Sequence, residues 1–350
     1  MSQDQQRTGS RGLDRRAFLR VGAAAAGGGM ALPLLSACGT RKIGTNAAGL
    51  KTVSVRFNWT IKGEFTPFFV AREKGYYKKE GLDVQLLEGK SGTQAAQLVG
   101  TGENDFGYIP SVQVIEGINK GLPVKAIATT ERYIGLCWVS WPDIPLTGPT
   151  SLYGHRVSIS TSSTFFQVWP GFQRQFHIDA SKIRIVHPDP SATLGLFLHR
   201  ELDIMADVFY ANEYPKVQSR TPAKLNVLRM SMPGLGFDPM GYLLVVNKSL
   251  LSSSPDVARR MARATLQGLR YTLDNTEEAI NIMTRLYGST LGADTIKGQV
   301  HDSLSLILQK PALGKATDQL WNNTLSMLAQ SGVISRKQAP SAYYTNEFVS

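Results

Sequence analysis

Six aromatic rings and four carboxylates are the residues of this chain best suited to gripping a small molecule: Trp59, Phe65, Tyr108, Phe165, Phe166 and Tyr210, with Glu64, Asp105, Asp207 and Glu213. Rings offer stacking faces and carboxylates accept hydrogen bonds, so the set suits a flat ligand that carries an amine. Nitrate or a sulfonate would need oriented N–H donors or a cation, and nearby carboxylates would repel it. Trp59 and Tyr210 are the expected stacking partners, and Glu64 or Asp207 the expected acceptor; Asp105 has the alternative of fixing its own turn. Bond-breaking chemistry has little support. No Gly-x-Ser-x-Gly, His-Glu-x-x-His or Gly-x-x-x-x-Gly-Lys motif occurs. His155, His177, His187, His199 and His301 are too far apart for local metal-ligand spacing, so neither a metal nor a cofactor is expected.

The elements that must position these residues alternate. Strands are expected over 53–57, 82–87, 105–109 and 124–129, with helices over 67–74, 93–101 and 111–120. Pro67 suits a first helical turn, and Gly75 a left-handed helix end. Residues 141–149 hold Pro142, Pro145 and Pro149 and read as a crossover. A second series follows, with strands over 155–160, 183–187, 204–208 and 225–230 and helices over 164–177 and 192–200. Residues 234–239 read as a second crossover into an apolar strand at 242–247, after which helices alone are expected, over 255–274, 276–287, 293–308 and 314–330.

Repeated strand–helix units predict an α/β fold with parallel-type sheets. Two crossovers flanking the middle series predict two lobes, 51–141 with 240–350 as lobe 1 and 142–239 as lobe 2. Ligands of such sheets sit beyond the carboxyl ends of strands, near helix N-termini. That selects Trp59, Glu64 and Phe65 after the first strand; Ser91, Gly92 and Thr93 after the second; and Tyr108 and Ser111 around the third. In the second lobe it selects Ser162, Ser163, Thr164 and Phe165, and then Asp207, Tyr210 and Glu213. Ser91 and Ser163 also suit plain helix N-caps.

The first 38 residues address the chain. Asp14-Arg15-Arg16-Ala17-Phe18-Leu19 resembles a twin-arginine export signal, and Leu35-Ser36-Ala37-Cys38 resembles a lipobox. The intervening apolar stretch is too short and too rich in glycine to span a bilayer. The expectation is a signal peptide over 1–37, a lipidated Cys38 opening a flexible tether over 38–50, and a protein anchored on the extracytoplasmic face of the membrane (periplasm or cell surface). The leader holds five arginines against Asp4 and Asp14, so the formal charge of +11 falls to +8 without it. The remaining Lys and Arg are scattered, which fits anionic lipid headgroups better than nucleic acid. Cys137, the other cysteine, sits in an apolar run and is expected to be a buried small residue.

Read together, several segments carry a family resemblance. Gly75-Tyr76-Tyr77-Lys78-Lys79-Glu80-Gly81-Leu82-Asp83-Val84 closely resembles the segment after the first helix in solute-binding proteins of ABC importers. The group serves nitrate, sulfonates, taurine and thiamine-precursor pyrimidines, and includes the THI5/NMT1-like proteins. Phe57-Asn58-Trp59 with Pro67-Phe68-Phe69-Val70-Ala71 is similar to its first strand and helix. Residues 98–107 and Gly121-Leu122-Pro123-Val124 are similar to its following units, and residues 269–279 to its late helix. The resemblance implies a type II periplasmic-binding-protein-like fold, with two α/β lobes hinged by two strands and closing on a small ligand. It implies a monomer that delivers its cargo to ABC permease subunits. An aminated, pyrimidine-like heteroaromatic is the expected cargo, with nitrate, taurine or an alkanesulfonate as the alternative. Pyrimidine-binding relatives carry a histidine in the first loop, where this chain has Lys62-Gly63-Glu64-Phe65-Thr66. The same departure disfavours the pyrimidine-synthesising enzyme of this fold.

Overall fold

The computed structural model describes residues 43–231, 234–309 and 312–349. The leader, its paired Arg15 and Arg16, and Cys38 lie outside the described residues.

Among the described residues, ten strands form two five-stranded sheets. In the first, β1 (Lys51–Phe57), β2 (Leu82–Leu87), β3 (Phe106–Pro110), β4 (Val124–Thr129) and β10 (Tyr242–Asn247) lie in the order β2-β1-β3-β10-β4. In the second, β5 (Leu136–Ser140), β6 (Arg156–Ser158), β7 (Arg184–Val186), β8 (Ile204–Phe209) and β9 (Asn226–Arg229) lie in the order β7-β6-β8-β5-β9. Alternation drives the pairing: Val53, Val55 and Phe57 of β1 turn into the core, and β1 runs parallel to β2 and β3.

Both sheets are mixed rather than wholly parallel. β10 is antiparallel to β3 and β4, and β5 is antiparallel to β8 and β9. These two are the strands that enter a sheet directly from the other lobe. The crossings therefore include residues 130–135 for the first and, for the second, 230–231 and 234–241 among the described residues. The first precedes the proline-rich 141–149 stretch expected to make it, because the apolar run around Cys137 is already a strand of the second sheet.

Helices α1 (Thr66–Glu73), α2 (Tyr76–Lys79), α3 (Gly92–Gly100) and α4 (Ser111–Asn119) connect the strands of the first lobe. Pro67 opens α1, and Gly75 leaves it at a left-handed φ of 73°. Helices α5 (Thr164–Phe176), α6 (Pro190–Leu198) and α7 (Glu213–Gln218) serve the second lobe. The chain closes with α8 (Lys248–Ser253), α9 (Pro255–Asp274), α10 (Thr276–Leu291), α11 (Ala293–Leu304) and α12 (Asp318–Gln330). α9 and α10 pack on α1, but α11 also touches α7 and α12 packs on α5. The C-terminal helices therefore belong to both lobes, not to the first alone.

Residues 43–50, expected to belong to a flexible tether, are bonded to the first sheet. Thr45 pairs with Lys51, the Asn46 side chain donates to Asp83 and accepts from Ala48 and Leu50, and Thr52 N–H donates to Gly44. Asparagine closing its own turn is what ties residues 43–50 to the first sheet. Cys137 is fully buried, and burial raises its thiol pKa well above the usual range. Among the described residues, no helix is long and apolar enough to cross a membrane.

Candidate functional site

Between the lobes lies a cleft of about 560 Å³, within the range typical of small-molecule pockets. It opens where β1, β6 and β8 end, so the strand ends and helix starts beyond them build its walls. From the first lobe come residues 58–62, Ser91 and Gly92 at the start of α3, and Pro110 and Gln113. The second lobe supplies Ser160, Ser162, Ser163 and Thr164, the start of α6 with Leu194, Met205 and 207–209 from β8, and Asn212, Glu213, Lys216 and Arg220 around α7. Thr290, Leu291, Thr295 and Gln299 complete the wall from the α10–α11 junction.

Of the residues singled out by sequence, Trp59, Ser91, Gly92, Ser162, Ser163, Thr164, Asp207 and Glu213 line this cleft. Ser91 and Ser163 also cap their helices, accepting from Gln94 and Phe166 N–H at 3.1 Å each. The others do not line it. Phe65 stacks on Phe57 in the core at 4.2 Å, and Phe165 packs edge-on to Trp138 and Trp169. Tyr108 stacks on Tyr242 and shares hydrogen bonds with Thr130 and Glu131. Ser111 donates to the Met240 carbonyl, and Thr93 is exposed on α3. Asp105 accepts from Ser54 N–H and hydroxyl, pinning β1 to the start of β3. Tyr210 stacks on Tyr214 with the Arg229 guanidinium 4.4 Å over its ring. Glu64 is buried in an ion pair with Lys62. Phe65 and Phe165 lie in the first turns of helical segments and Tyr108 in β3, and each turns its ring into the core, where buried apolar area is worth more.

Lys62 lies in the first loop, whose stretch Lys62-Gly63-Glu64-Phe65-Thr66 holds no histidine. Its ammonium is 3% exposed, donates to Tyr242 Oη at 3.0 Å and lies 4.9 Å from the Phe65 ring. Glu131, in the first crossing, accepts from Tyr242 N–H and Tyr108 Oη; burial and the nearby Glu64 charge hold its carboxyl well above the usual range. Gly241, in the second crossing, faces it. A Cβ there would come 2.4 Å from Glu131 Cβ, so only glycine lets the two crossings lie this close.

Asp207 and Glu213 are both partly committed within their own lobe. Asp207 accepts from Ser160 N–H at 2.6 Å and Ser158 Oγ at 2.9 Å, while burial raises its pKa. Glu213 accepts from Phe209 N–H and the Asn212 amide; burial, opposed by Lys62, pushes it up to about 6. Two acceptors remain open. The Asn58 Oδ1 and Gln113 Oε1 atoms are buried and have no hydrogen-bond donor among the described residues.

Two polar clasps cross the cleft. Gln113 of α4 donates to Thr164 Oγ1 and to Gln167 Oε1 of α5, and Gln167 donates to Glu116. On the other side Gln299 accepts from Gly63 N–H and donates to the Asn212 backbone and side-chain oxygens. Sequence reasoning missed Lys62, Gln113 and Gln299. An unpaired-looking lysine in the first loop was a signal for Lys62; nothing local marked the two glutamines.

Two α/β lobes, two crossing segments and a polar cleft at the strand ends define the two-lobed fold of periplasmic binding proteins. The periplasmic aliphatic sulphonate binding protein SsuA from Escherichia coli has this fold, with a TM-score of 0.67 over 83% of this chain and 91% of that one at 13% identity. This chain belongs to the NMT1/THI5 like family, whose profile matches residues 62–279. It is 24% identical to the riboflavin-binding protein RibY of Chloroflexus aurantiacus, over 86% of each chain. It is 23% identical to the formylaminopyrimidine-binding protein of Halalkalibacterium halodurans, over 85% of this chain and 91% of that one.

Proposed function

We propose that this protein is the substrate-binding component of an ABC importer, closing its lobes on a small heteroaromatic ligand that carries N–H groups and presenting it to the permease. The observation that carries the reading is that two residues of the cleft lining, Asn58 and Gln113, each hold a buried side-chain oxygen with no hydrogen-bond donor among the described residues. A buried acceptor left unpaired costs about 1–3 kcal/mol, so a ligand that supplies N–H groups recovers that energy on binding. Trp59 and Phe209 on the cleft wall offer the ring faces. The volume of about 560 Å³ is far more than nitrate would fill. The names of the two relatives, for riboflavin and formylaminopyrimidine, support a nitrogen heterocycle.

Transport rather than catalysis is supported by the two relatives matched over most of their length, both named as binding proteins. Export through Arg15 and Arg16, a lipid anchor on Cys38 and action as a monomer outside the cytoplasm complete the proposal. The test is a thermal-shift screen followed by calorimetry, with pyrimidines and flavins in one arm and nitrate, taurine and alkanesulfonates in the other. Ligand at 100 times its Kd adds about 2.7 kcal/mol to the folded state, a clear rise in Tm. Stabilisation by the heterocycles is the expected result. Stabilisation by the small anions alone would overturn the ligand assignment.

A further inference from the structure

The outer wall of the cleft has a charge character that its inner wall lacks. At the inner end the one ammonium, Lys62, is already neutralised by Glu64, and the open groups are the acceptors of Asn58 and Gln113. The outer end differs. Lys216 and Arg220 sit one turn apart around the end of α7, on the face that lines the cleft. Both are exposed, and neither has an ion-pair partner among the described residues.

The carboxylates nearby do not cancel them. Glu213, one turn before Lys216, is held by Phe209 N–H and the Asn212 amide, and Asp207 by Ser158 and Ser160. Facing α7 across the cleft are Thr290 and Thr295; Thr295 Oγ1 shares a hydrogen bond of 3.2 Å with Ser219 Oγ, between the two cations in sequence. An ammonium and a guanidinium beside hydroxyl groups make a site for a group with several anionic oxygens.

We infer that Lys216 and Arg220 form an anion subsite, and that the ligand is a heteroaromatic with N–H donors at one end and a phosphate monoester at the other. The inference rests on the proposed heterocycle-binding reading and deepens it. The ring enters first, meets Asn58, Gln113 and Trp59, and leaves its phosphate at the outer end against α7.

Calorimetry on the full chain tests this with two matched pairs: riboflavin and its phosphate monoester, and an aminopyrimidine alcohol and its phosphate monoester. The expected result is that, in at least one pair, the ester binds about tenfold more tightly than the parent, the scale of one hydrogen bond between charged groups. That ratio should shrink between low and high salt, because exposed charges are screened. In a Lys216→Gln/Arg220→Gln protein, whose fold is checked by an unchanged Tm, the ratio should fall to about one. Parents that bind as well as their esters, or a ratio that survives the double substitution, would overturn the subsite and leave the heterocycle reading standing. Failure of all four compounds to bind would overturn both.

Discussion

Lys62 reaches the cleft with its charge already matched, and this sets what the remaining side chains can contribute. With Glu64 paired and Phe65 in the core, Trp59 is left on the cleft wall as the partner for the ring of the proposed ligand. Trp59→Ala should weaken binding by at least about 1 kcal/mol, the scale of one aromatic contact. Unchanged affinity by calorimetry in a folded variant would remove Trp59 from the site. Glu213 gives a second prediction. Its carboxyl is raised from 4.5 to about 6 by burial, so the folded state holds its proton more tightly than the unfolded chain does. The stability this group contributes is full below pH 4.5 and is lost as pH rises through about 6. Asp302, also raised to about 6, adds to the same window. Denaturation of the ligand-free protein across this range should show the slope, and Glu213→Gln should reduce it; an unaltered slope would assign the effect elsewhere. At this scale the sequence was only half legible. Ser91, Ser162, Ser163, Asp207 and Glu213 line the cleft, because strand and helix limits fix them, whereas Ser111, Glu64 and Asp105 are taken up by contacts inside the first lobe. The aromatics scattered, because a single position decides whether a ring meets ligand or core.

Elements were the most legible level. Strands such as β1 and β10 and long helices such as α9 follow their apolar periodicity, and Gly75 ends α1 as a left-handed residue should. Short elements were not legible: α7 is six residues long, lacks an apolar stripe to read, and brings Lys216 and Arg220 to the cleft unannounced. The direction of β5 and β10 was hidden too, since alternation says nothing about which way a strand runs. Contacts between elements carry the next prediction. Gln167 links α5 to both Gln113 and Glu116 of α4, so it holds the lobes together without lining the cleft. Gln167→Ala should weaken ligand affinity by about 1 kcal/mol, the net worth of a hydrogen bond or two. Small-angle scattering of the ligand-free variant should report a larger radius of gyration. A variant that keeps both the affinity and the dimensions of the parent would show that the α4–α5 clasp is incidental.

For the whole molecule, the proposed closure would be a single equilibrium between lobe arrangements, shifted by ligand only as far as it binds one arrangement better. Its pivot would be the pair of crossings, where Gly241 lies against Glu131 and Ile134 N–H donates to Pro239. Gly241→Ala would force a methyl to within 2.4 Å of Glu131 Cβ, and should cost about 1–3 kcal/mol in stability, as overpacking does. Ligand affinity should fall with it, read by calorimetry; a variant with normal Tm and affinity would show that the crossings have slack. Residues 43–50 are stitched to β1 and β2 through Thr45, Asn46 and Asp83. A pull on the chain ahead of Ile43 is therefore borne by the first sheet, and the load path passes through neither crossing nor clasp. If Cys38 is anchored as proposed, the first lobe is the moored one, and a leash under tension neither opens nor shuts the jaw.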